Sequence, residues 1–218
     1  MTRVKICGIR EEVHALAAIK AGADFIGFVF APTRRQVSPA KAREIVDAVK
    51  KRSSAIKTVG VFVDTPASEV NRLADFCRLD WVQLSGNESR EYCRQIARPI
   101  IKAIRIGQQL RKEINAELTA GLKTLPPQRF IILLDSQVEG KYGGTGITFN
   151  WRLAQQVVRE FPVIIAGGLN PQNVAQAIEI AAPWGVDVSS GIETGGIKDV
   201  AKIKAFIEAV RRRDDNKR

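Results

Sequence analysis

The feature that most constrains the fold of this chain is a strict alternation of short apolar runs with longer stretches of helical periodicity. The runs are rich in β-branched residues, and such alternation is typical of a parallel sheet whose crossovers are helices. The predicted strands are Val4–Cys7, Asp24–Phe28, Thr58–Val63, Trp81–Leu84, Ile100–Ile104, Phe130–Leu134, Val163–Ala166 and Val186–Ser189. The predicted helices are Glu11–Lys20, Pro39–Val49, Ala67–Phe76, Glu88–Ile96, Gln108–Ala120, Asn150–Val158, Pro171–Ile180 and Asp199–Val210.

Eight strand–helix units with no segment left over favour a closed barrel over an open, doubly wound sheet. The length of 218 residues suits one such domain. We therefore predict an α/β fold, a single (β/α)8 TIM barrel over residues 1–218, in which residues 211–218 form a charged C-terminal tail. Three N-cap residues that stand directly before a proline, in Ser38-Pro39, Thr65-Pro66 and Asn170-Pro171, predict helix starts.

Composition narrows the class of protein. No apolar run is long enough to span a bilayer, and the N-terminus lacks the layout of a signal peptide, so a cytoplasmic protein is expected. The three cysteines, Cys7, Cys77 and Cys93, form no CxxC pair, and His14 is the only histidine. These counts predict neither a disulfide framework nor a metal site.

The net charge of +11 is compatible with an anionic partner of several kinds. The positive residues are scattered along the chain, and no nucleic-acid-binding motif accompanies them. We therefore predict a solvated basic surface that helps to attract a small anion, with no nucleic-acid or membrane partner. A basic barrel that binds nucleic acid or a phosphorylated metabolite without turnover is the alternative of a different class.

Glycine and serine follow the last two predicted strands. Gly167 and Gly168 come after strand seven, and Ser189, Ser190 and Gly191 come after strand eight. Barrel active sites lie at the C-terminal strand ends, where these two loops often hold a phosphate through backbone N–H groups and a helix start. Tight turns that need glycine for geometry alone are the alternative for either loop. Their joint occurrence in these two places predicts a phosphate site.

Cys7 ends the first predicted strand. The alternation of Val4-Lys5-Ile6-Cys7 puts Val4 and Ile6 on the face towards the helices, and Lys5 and Cys7 on the face towards the barrel interior. An adjacent ammonium favours a thiolate, so Lys5 is expected to lower the pKa of Cys7 from its reference of about 8.5. The alternative is a free cysteine buried as a small hydrophobe.

Asp135 follows the apolar run 130–134 and so lies at the mouth of the predicted barrel. Partial burial there raises the pKa of a carboxyl group and can make it a general acid. The alternative is an N-cap or an aspartate that anchors a lid. Cys7 and Asp135 come from different strands and could flank one bound molecule. A thiolate base and a carboxylic acid predict proton transfer with neither metal nor redox cofactor.

Four further residues near the predicted mouth are candidates for substrate contact. Arg34 and Arg35 follow strand two and could grip a carboxylate in bidentate fashion. The alternative is a solvated loop charge, and for Arg34 we keep this alternative. Gly144 belongs to a glycine-rich stretch that lacks the ending of a nucleotide P-loop, so a mobile lid is predicted, with a plain flexible loop as the alternative. Asp187 lies at the end of strand eight. We include Gly144 and Asp187 among the substrate-binding candidates.

Several motifs, in chain order, resemble those of the phosphoribosylanthranilate isomerases of tryptophan biosynthesis. They are Lys5–Arg10, Gly22–Phe30, Gly60–Val63, Val82–Leu84, Leu133–Asp135, Gly143–Gly146, Ala166–Pro171 and Val186–Gly191. The resemblance extends over nearly the whole chain. It implies a (β/α)8 barrel that converts N-(5-phosphoribosyl)anthranilate to its 1-deoxyribulose isomer, an Amadori rearrangement, without a cofactor. We expect a monomer or a homodimer.

The resemblance also implies roles for individual residues. Cys7 would be the general base that removes the C2′ proton, and Asp135 the general acid that protonates the furanose ring oxygen. Arg35, just ahead of Gln36, matches the residue that holds the anthranilate carboxylate. The glycine–serine loops after strands seven and eight would hold the phosphate.

The chain departs from the family pattern in two places. Ser85 stands where the family usually has a histidine, and the loop after strand two is shorter than in some relatives, which leaves the choice of Arg35 over Arg34 open. The nearest rival is the related isomerase of histidine biosynthesis. That enzyme has an aspartate where Cys7 stands, so Cys7 favours the tryptophan enzyme.

Overall fold

Eight parallel strands close into a barrel in this computed structural model, which describes residues 1–106, 129–136, 148–155 and 157–216. Each strand is hydrogen-bonded to its neighbours in chain order, and β8 pairs with β1 to close the ring. The strands are β1 Arg3–Cys7, β2 Phe25–Val29, β3 Lys57–Phe62, β4 Trp81–Leu84, β5 Ile100–Ile106, β6 Phe130–Ser136, β7 Val163–Ile165 and β8 Gly185–Val188. The predicted (β/α)8 barrel is confirmed, and each predicted strand agrees with the structure to within two residues at either end.

Helices connect the strands. They are α1 Glu12–Ala21, α2 Pro39–Arg52, α3 Ala67–Phe76, α4 Arg90–Arg94, α5 Val174–Ala181 and α6 Val200–Asp215. Two 3₁₀ segments, Trp151–Gln155 and Val157–Arg159, precede β7, and a third, Ser190–Ile192, follows β8. A short antiparallel ribbon of β9 Glu193–Thr194 and β10 Ile197–Lys198 stands between β8 and α6. No helix in the described part of the chain is long and apolar enough to cross a membrane.

Two of the predicted helices are wrong in extent or type, and a third begins late. The predicted helix Glu88–Ile96 is only α4, because Ser89 caps it and the Glu88 carboxylate turns back to accept from the backbone N–H of Gly86. The predicted helix Asn150–Val158 is 3₁₀. The predicted helix Pro171–Ile180 begins at Val174, because Asn170 holds the preceding residues in a turn. The predicted helix Gln108–Ala120 lies outside the described residues.

One predicted cap is confirmed and one is wrong. The Ser38 hydroxyl accepts a hydrogen bond from the backbone N–H of Lys41 at 3.2 Å, as an N-cap does. The Thr65 hydroxyl instead donates to the carbonyl of Val63, and Pro66 takes the N-cap position without a side-chain bond.

The strand alternation divides the core into layers. Val4 and Ile6 are fully buried in the cluster between the barrel and the helices, whereas Lys5 and Cys7 face the barrel interior. The floor of the interior is an apolar cluster of Phe25, Val59, Ile101, Ile131, Leu133, Ile164 and Ala166. Polar groups at the upper ends of the strands therefore stand on a dry base, which limits their hydration and shifts their pKa values.

The predicted charged tail is wrong for residues 211–215, because α6 continues through Asp215. Asp214 is buried, and its carboxylate accepts from both the backbone N–H and the hydroxyl of Thr2, each at 2.7 Å. Arg211 donates to the carbonyls of Thr2 and Gly22. These bonds join the last turn of α6 to the start of β1, so Arg211 and Asp214 have a structural role.

Asp214→Ala is expected to lower the free energy of unfolding by about 2 kcal/mol, because it leaves two buried donors of Thr2 without an acceptor. Urea unfolding followed by circular dichroism measures this change. Asp215→Ala, one position further along and exposed, is the matched control and is expected to change stability by less than about 0.5 kcal/mol. Equal effects of the two substitutions would contradict a structural role for Asp214.

Candidate active site

A cavity of about 910 Å³, including its open mouth, lies at the C-terminal ends of the barrel strands. Eight of the ten sequence-predicted site residues line it: Cys7, Arg35, Asp135, Gly167, Gly168, Asp187, Ser189 and Ser190. Gly144 lies outside the described residues. Gly191 does not line the cavity, because its backbone packs against the carbonyl of Leu169, too closely for any side chain.

Cys7 is buried at the end of β1, beside a buried ion pair. The Lys5 ammonium donates to Asp187 Oδ1 at 2.8 Å, and the side chains of Lys5 and Asp187 are only 1% and 9% exposed. Burial raises the pKa of the Cys7 thiol, and Asp187 adds to the rise, against the opposing effects of Lys5 and Lys198. Lys5 does lower the pKa of Cys7, as predicted, but the net pKa is raised, because the effect of burial is larger and Asp187 adds to it.

Asp135 lies near the end of β6, next to Arg105 of β5 in the strand register. Burial, with a further contribution from the charge of Asp187, raises the pKa of the Asp135 carboxyl to about 6. The predicted rise in the pKa of Asp135 is confirmed, and burial at the mouth of the barrel is its main cause. At neutral pH this carboxyl keeps a useful fraction of its acid form, as a general acid must.

Gly167 brings the backbone after β7 close to Asp135. Its φ of +81° lies in the left-handed region, and a Cβ at this position would stand 2.7 Å from Asp135 Oδ1. Only glycine fits here without displacing the carboxyl group. Within the described residues, the backbone N–H groups of Gly167 and Gly168 donate to no protein acceptor, so they are available to an anion.

The loop after β8 approaches the same part of the cavity. Ser189 and Ser190 line it, and the Ser189 hydroxyl donates to the carbonyl of Cys7 at 3.2 Å. The contact between Gly191 and Leu169 packs the loops after β7 and β8 against each other. Together they form one concave, donor-rich wall of the type that binds phosphate in barrels.

The two arginines after β2 have different environments. The Arg35 side chain is 12% exposed and lines the cavity, whereas that of Arg34 is 60% exposed and does not. Arg35 donates through Nε and Nη2 to the two carboxylate oxygens of Glu193, at 2.6 and 3.0 Å. The geometry therefore favours Arg35 over Arg34 as the arginine that faces a ligand.

Sequence reasoning missed several polar residues of this site. Gln83 and Arg105 line the cavity, and the buried Gln83 Oε1 has no hydrogen-bond partner. The alternation of β4 could have pointed to Gln83, whereas strand five was predicted to end one residue before Arg105. Ser85 also lines the cavity, and its hydroxyl oxygen accepts from Gln83 Nε2 at 3.1 Å. Among the described residues, no cluster of three or more histidine, cysteine or acidic side chains could hold a metal ion.

A closed parallel barrel with an acid, a thiol and two glycine-rich loops at its C-terminal face belongs to the class of (β/α)8-barrel enzymes. A family model described as N-(5'phosphoribosyl)anthranilate (PRA) isomerase matches residues 4–209. The chain therefore belongs to the phosphoribosylanthranilate isomerase family.

Individual relatives agree with this assignment. The N-(5'-phosphoribosyl)anthranilate isomerase of Dehalococcoides mccartyi is 48% identical over 218 residues, which cover 100% of this chain and 99% of the relative. The crystal structure of the phosphoribosyl anthranilate isomerase from Thermotoga maritima is 36% identical, with a TM-score of 0.83 over 97% of this chain and 100% of that one. A structure of such an isomerase in complex with reduced 1-(o-carboxyphenylamino)-1-deoxyribulose 5-phosphate has a TM-score of 0.80, with 36% identity and the same coverage.

Proposed function

We propose that Cys7 and Asp135 carry out the Amadori rearrangement of N-(5'-phosphoribosyl)anthranilate that defines this family in tryptophan biosynthesis. The observation that carries the proposal is that a buried thiol and a carboxyl group of raised pKa line one cavity, together with Arg35 and two donor-rich loops. An intramolecular isomerisation of this kind needs a proton donor and a proton acceptor.

Asp135 acts in the first step. It gives its proton to the furanose ring oxygen as the bond from that oxygen to C1′ breaks, and the nitrogen lone pair forms a C=N bond to C1′. The products are an open-chain protonated imine and the Asp135 carboxylate. The raised pKa of Asp135 supports this role, because an acid with a pKa near the working pH transfers its proton with the best compromise between availability and strength.

Cys7 acts in the second step. Its thiolate takes the proton from C2′, the electrons of that C–H bond form a C1′=C2′ double bond, and the C=N electrons return to nitrogen. The resulting enolamine becomes the ketose when the 2′-hydroxyl loses a proton and C1′ gains one. Lys5 and Lys198 support the thiolate, because each lowers the pKa of Cys7.

The remaining candidates hold the substrate. The backbone of Gly167 and Gly168 and the hydroxyl of Ser190 donate to the phosphate, and Arg35 donates to the anthranilate carboxylate. Ser189 contributes its backbone N–H, because its hydroxyl proton is already given to the carbonyl of Cys7. Gly191 contributes by packing the two loops together rather than by contact. Gln83 Oε1 is free to accept from a substrate hydroxyl or N–H. Gly144 and Asp187 remain proposed substrate contacts.

A single experiment tests the proposed activity. Freshly prepared phosphoribosylanthranilate is added to the purified protein, and its fluorescence is followed as the ketose forms. We expect turnover to accelerate the decay over the buffer blank, in proportion to enzyme concentration. Turnover of the aminated phosphoribose of histidine biosynthesis instead would favour the rival isomerase. Steeply salt-dependent binding of a random duplex, without turnover, would favour a basic binding protein.

The pH dependence of kcat/KM follows from the two pKa values. The reaction needs protonated Asp135, whose pKa is about 6, and ionised Cys7, whose pKa lies above its ordinary value. Below about pH 6 the thiolate fraction limits the rate, so kcat/KM rises with pH. Between the two pKa values the loss of Asp135 acid cancels the gain of thiolate, and kcat/KM is level.

The control for this profile is Asp135→Asn. Its residual kcat/KM is expected to keep rising through about pH 6, because Cys7 is then the only one of the two catalytic groups that titrates. The substrate phosphate has a second pKa of about 6 as well. A break at this pH that persists in Asp135→Asn would belong to the phosphate and would contradict the proposed acid.

We further propose that the enzyme acts in the cytoplasm, as a monomer or a homodimer, on a small anionic substrate. The three cysteines are free, and Cys7 must stay reduced to act as a base. Size-exclusion chromatography with light scattering tests the assembly state, and a larger oligomer would contradict the proposal.

A further inference from the structure

The ribbon that follows the phosphate loop carries a buried carboxylate that the mechanism above does not use. Glu193 lies at the start of β9, and its side chain is 5% exposed. Three cations surround it: Arg35, Lys198 and, at the surface, Arg34. Although burial alone would raise the pKa of Glu193, the hydrogen bonds from Arg35 and Lys198 lower it, so the group is ionised at neutral pH.

Glu193 fixes which edge of the Arg35 guanidinium remains for a ligand. It takes Nε and one N–H of Nη2, at 2.6 and 3.0 Å. A guanidinium has five N–H groups in a rigid plane, so both N–H groups of Nη1 and one of Nη2 remain. No described residue accepts from Nη1. The edge formed by Nη1 and Nη2 therefore remains, and it can bind a second carboxylate in bidentate geometry.

Lys198 ties the same carboxylate to the phosphate loop. Its ammonium donates to Glu193 Oε1 at 2.8 Å and to the carbonyl and hydroxyl of Ser189 at 2.8 and 3.2 Å. The Lys198 side chain is 4% exposed, so these bonds are shielded from water. The Ser189 hydroxyl in turn donates to the carbonyl of Cys7. A continuous polar chain thus links Arg35, Glu193, Lys198 and Ser189 to the strand of the thiol.

We propose that Glu193 is a positioning residue that orients Arg35 for the substrate carboxylate, and that Lys198 locks this clamp to the phosphate loop at a fixed separation. The proposal rests on the proposed function, in which Arg35 binds the anthranilate carboxylate. Glu193 touches no substrate atom and acts through Arg35. Its effect therefore depends on whether the ligand has a carboxylate.

The test uses two stable ligands that need no turnover. One is reduced 1-(o-carboxyphenylamino)-1-deoxyribulose 5-phosphate, an analogue of the product. The other is the same compound without the carboxyl group. The dissociation constants are measured by titration calorimetry. Glu193→Gln is expected to weaken binding of the carboxylated ligand at least tenfold, or about 1.4 kcal/mol, and of the other ligand less than about twofold. Glu69→Gln, an exposed glutamate paired with Arg72, is the matched control and changes neither.

Two further variants separate positioning from general damage. In an Arg35→Met background, Glu193→Gln is expected to leave the dissociation constant of the carboxylated ligand unchanged, because the group that Glu193 orients is gone. Lys198→Met is expected to weaken both ligands, because the phosphate loop loses its anchor.

Equal weakening of both ligands by Glu193→Gln, an undiminished effect in the Arg35→Met background, or no effect on either ligand would overturn the inference. If Glu193→Gln does not fold, Glu193→Asp takes its place with the same expected pattern, because the shorter carboxylate cannot reach both nitrogens. Failure of the unaltered protein to bind the carboxylated ligand would instead count against the proposed function.

Discussion

Asp135→Asn is expected to lower kcat on phosphoribosylanthranilate by about 10³-fold, because the amide cannot protonate the ring oxygen as the furanose opens. The substitution keeps the shape of the side chain, so the KM is expected to change by less than about threefold. The fluorescence assay, run at saturating substrate, measures the loss. A variant that retains near-normal kcat would show that another group supplies the proton.

The same substitution is expected to stabilise the fold at neutral and alkaline pH. Burial raises the pKa of Asp135 from 3.8 to about 6 in the folded protein. The folded state therefore binds this proton more tightly than the unfolded state, and stability falls as the pH rises from about 4 to about 6. Above that range the ionised, buried Asp135 lowers the free energy of unfolding by up to about 3 kcal/mol, at 1.36 kcal/mol per pKa unit.

The control for the stability gain is built into its pH dependence. In urea unfolding at about pH 8, the free energy of unfolding of Asp135→Asn is expected to exceed that of the wild type. The difference is expected to vanish near pH 4, where both side chains are neutral in the folded protein. A gain that does not change with pH would contradict the raised pKa. A loss of activity together with a gain in stability would show that burial of Asp135 serves catalysis at the expense of stability.

Cys7→Ser is expected to lower kcat by at least about 10³-fold, because a serine hydroxyl ionises far less readily than a thiol and cannot take the C2′ proton. The oxygen is smaller than sulfur, so the fold is expected to lose no more than about 1 kcal/mol. Steady-state kinetics and urea unfolding measure the two effects.

Cys77→Ser is the matched control for Cys7→Ser. Cys77 is buried like Cys7 but lies outside the cavity, and its Sγ donates to the carbonyl of Pro39, a bond that a serine keeps. This variant is expected to retain activity within about twofold. Should the two serine variants lose activity alike, the effect of Cys7→Ser would be structural, and the assignment of the base would be wrong.

The elements that are defined by local periodicity were predictable from the sequence. The eight strands follow from runs of β-branched residues, and α3 follows residue for residue from its apolar spacing. Helix ends were predicted less well, because Glu88 and Asn170 use their side chains to bond nearby backbone groups rather than to start a helix. Such local competition depends on a geometry that propensity does not encode.

The site residues that stand at strand ends were predictable, because the barrel rule fixes where to look. The net pKa of Cys7 was not, since it depends on Asp187 from β8, a partner 180 residues away in the sequence from the cysteine. Glu193 and Lys198 were also missed. They follow the strand ends in an irregular ribbon, and nothing in their spacing indicates that both side chains turn inward towards Arg35.

The burial of Cys7 beside the Lys5–Asp187 ion pair has a consequence for the resting protein. Peroxides and alkylating agents attack the thiolate rather than the thiol. Because burial and Asp187 keep the sulfur in its neutral form, the group on which turnover depends is chemically quiet between catalytic cycles. Only a small fraction of the enzyme therefore carries the reactive thiolate at any time, and each molecule is inactivated more slowly.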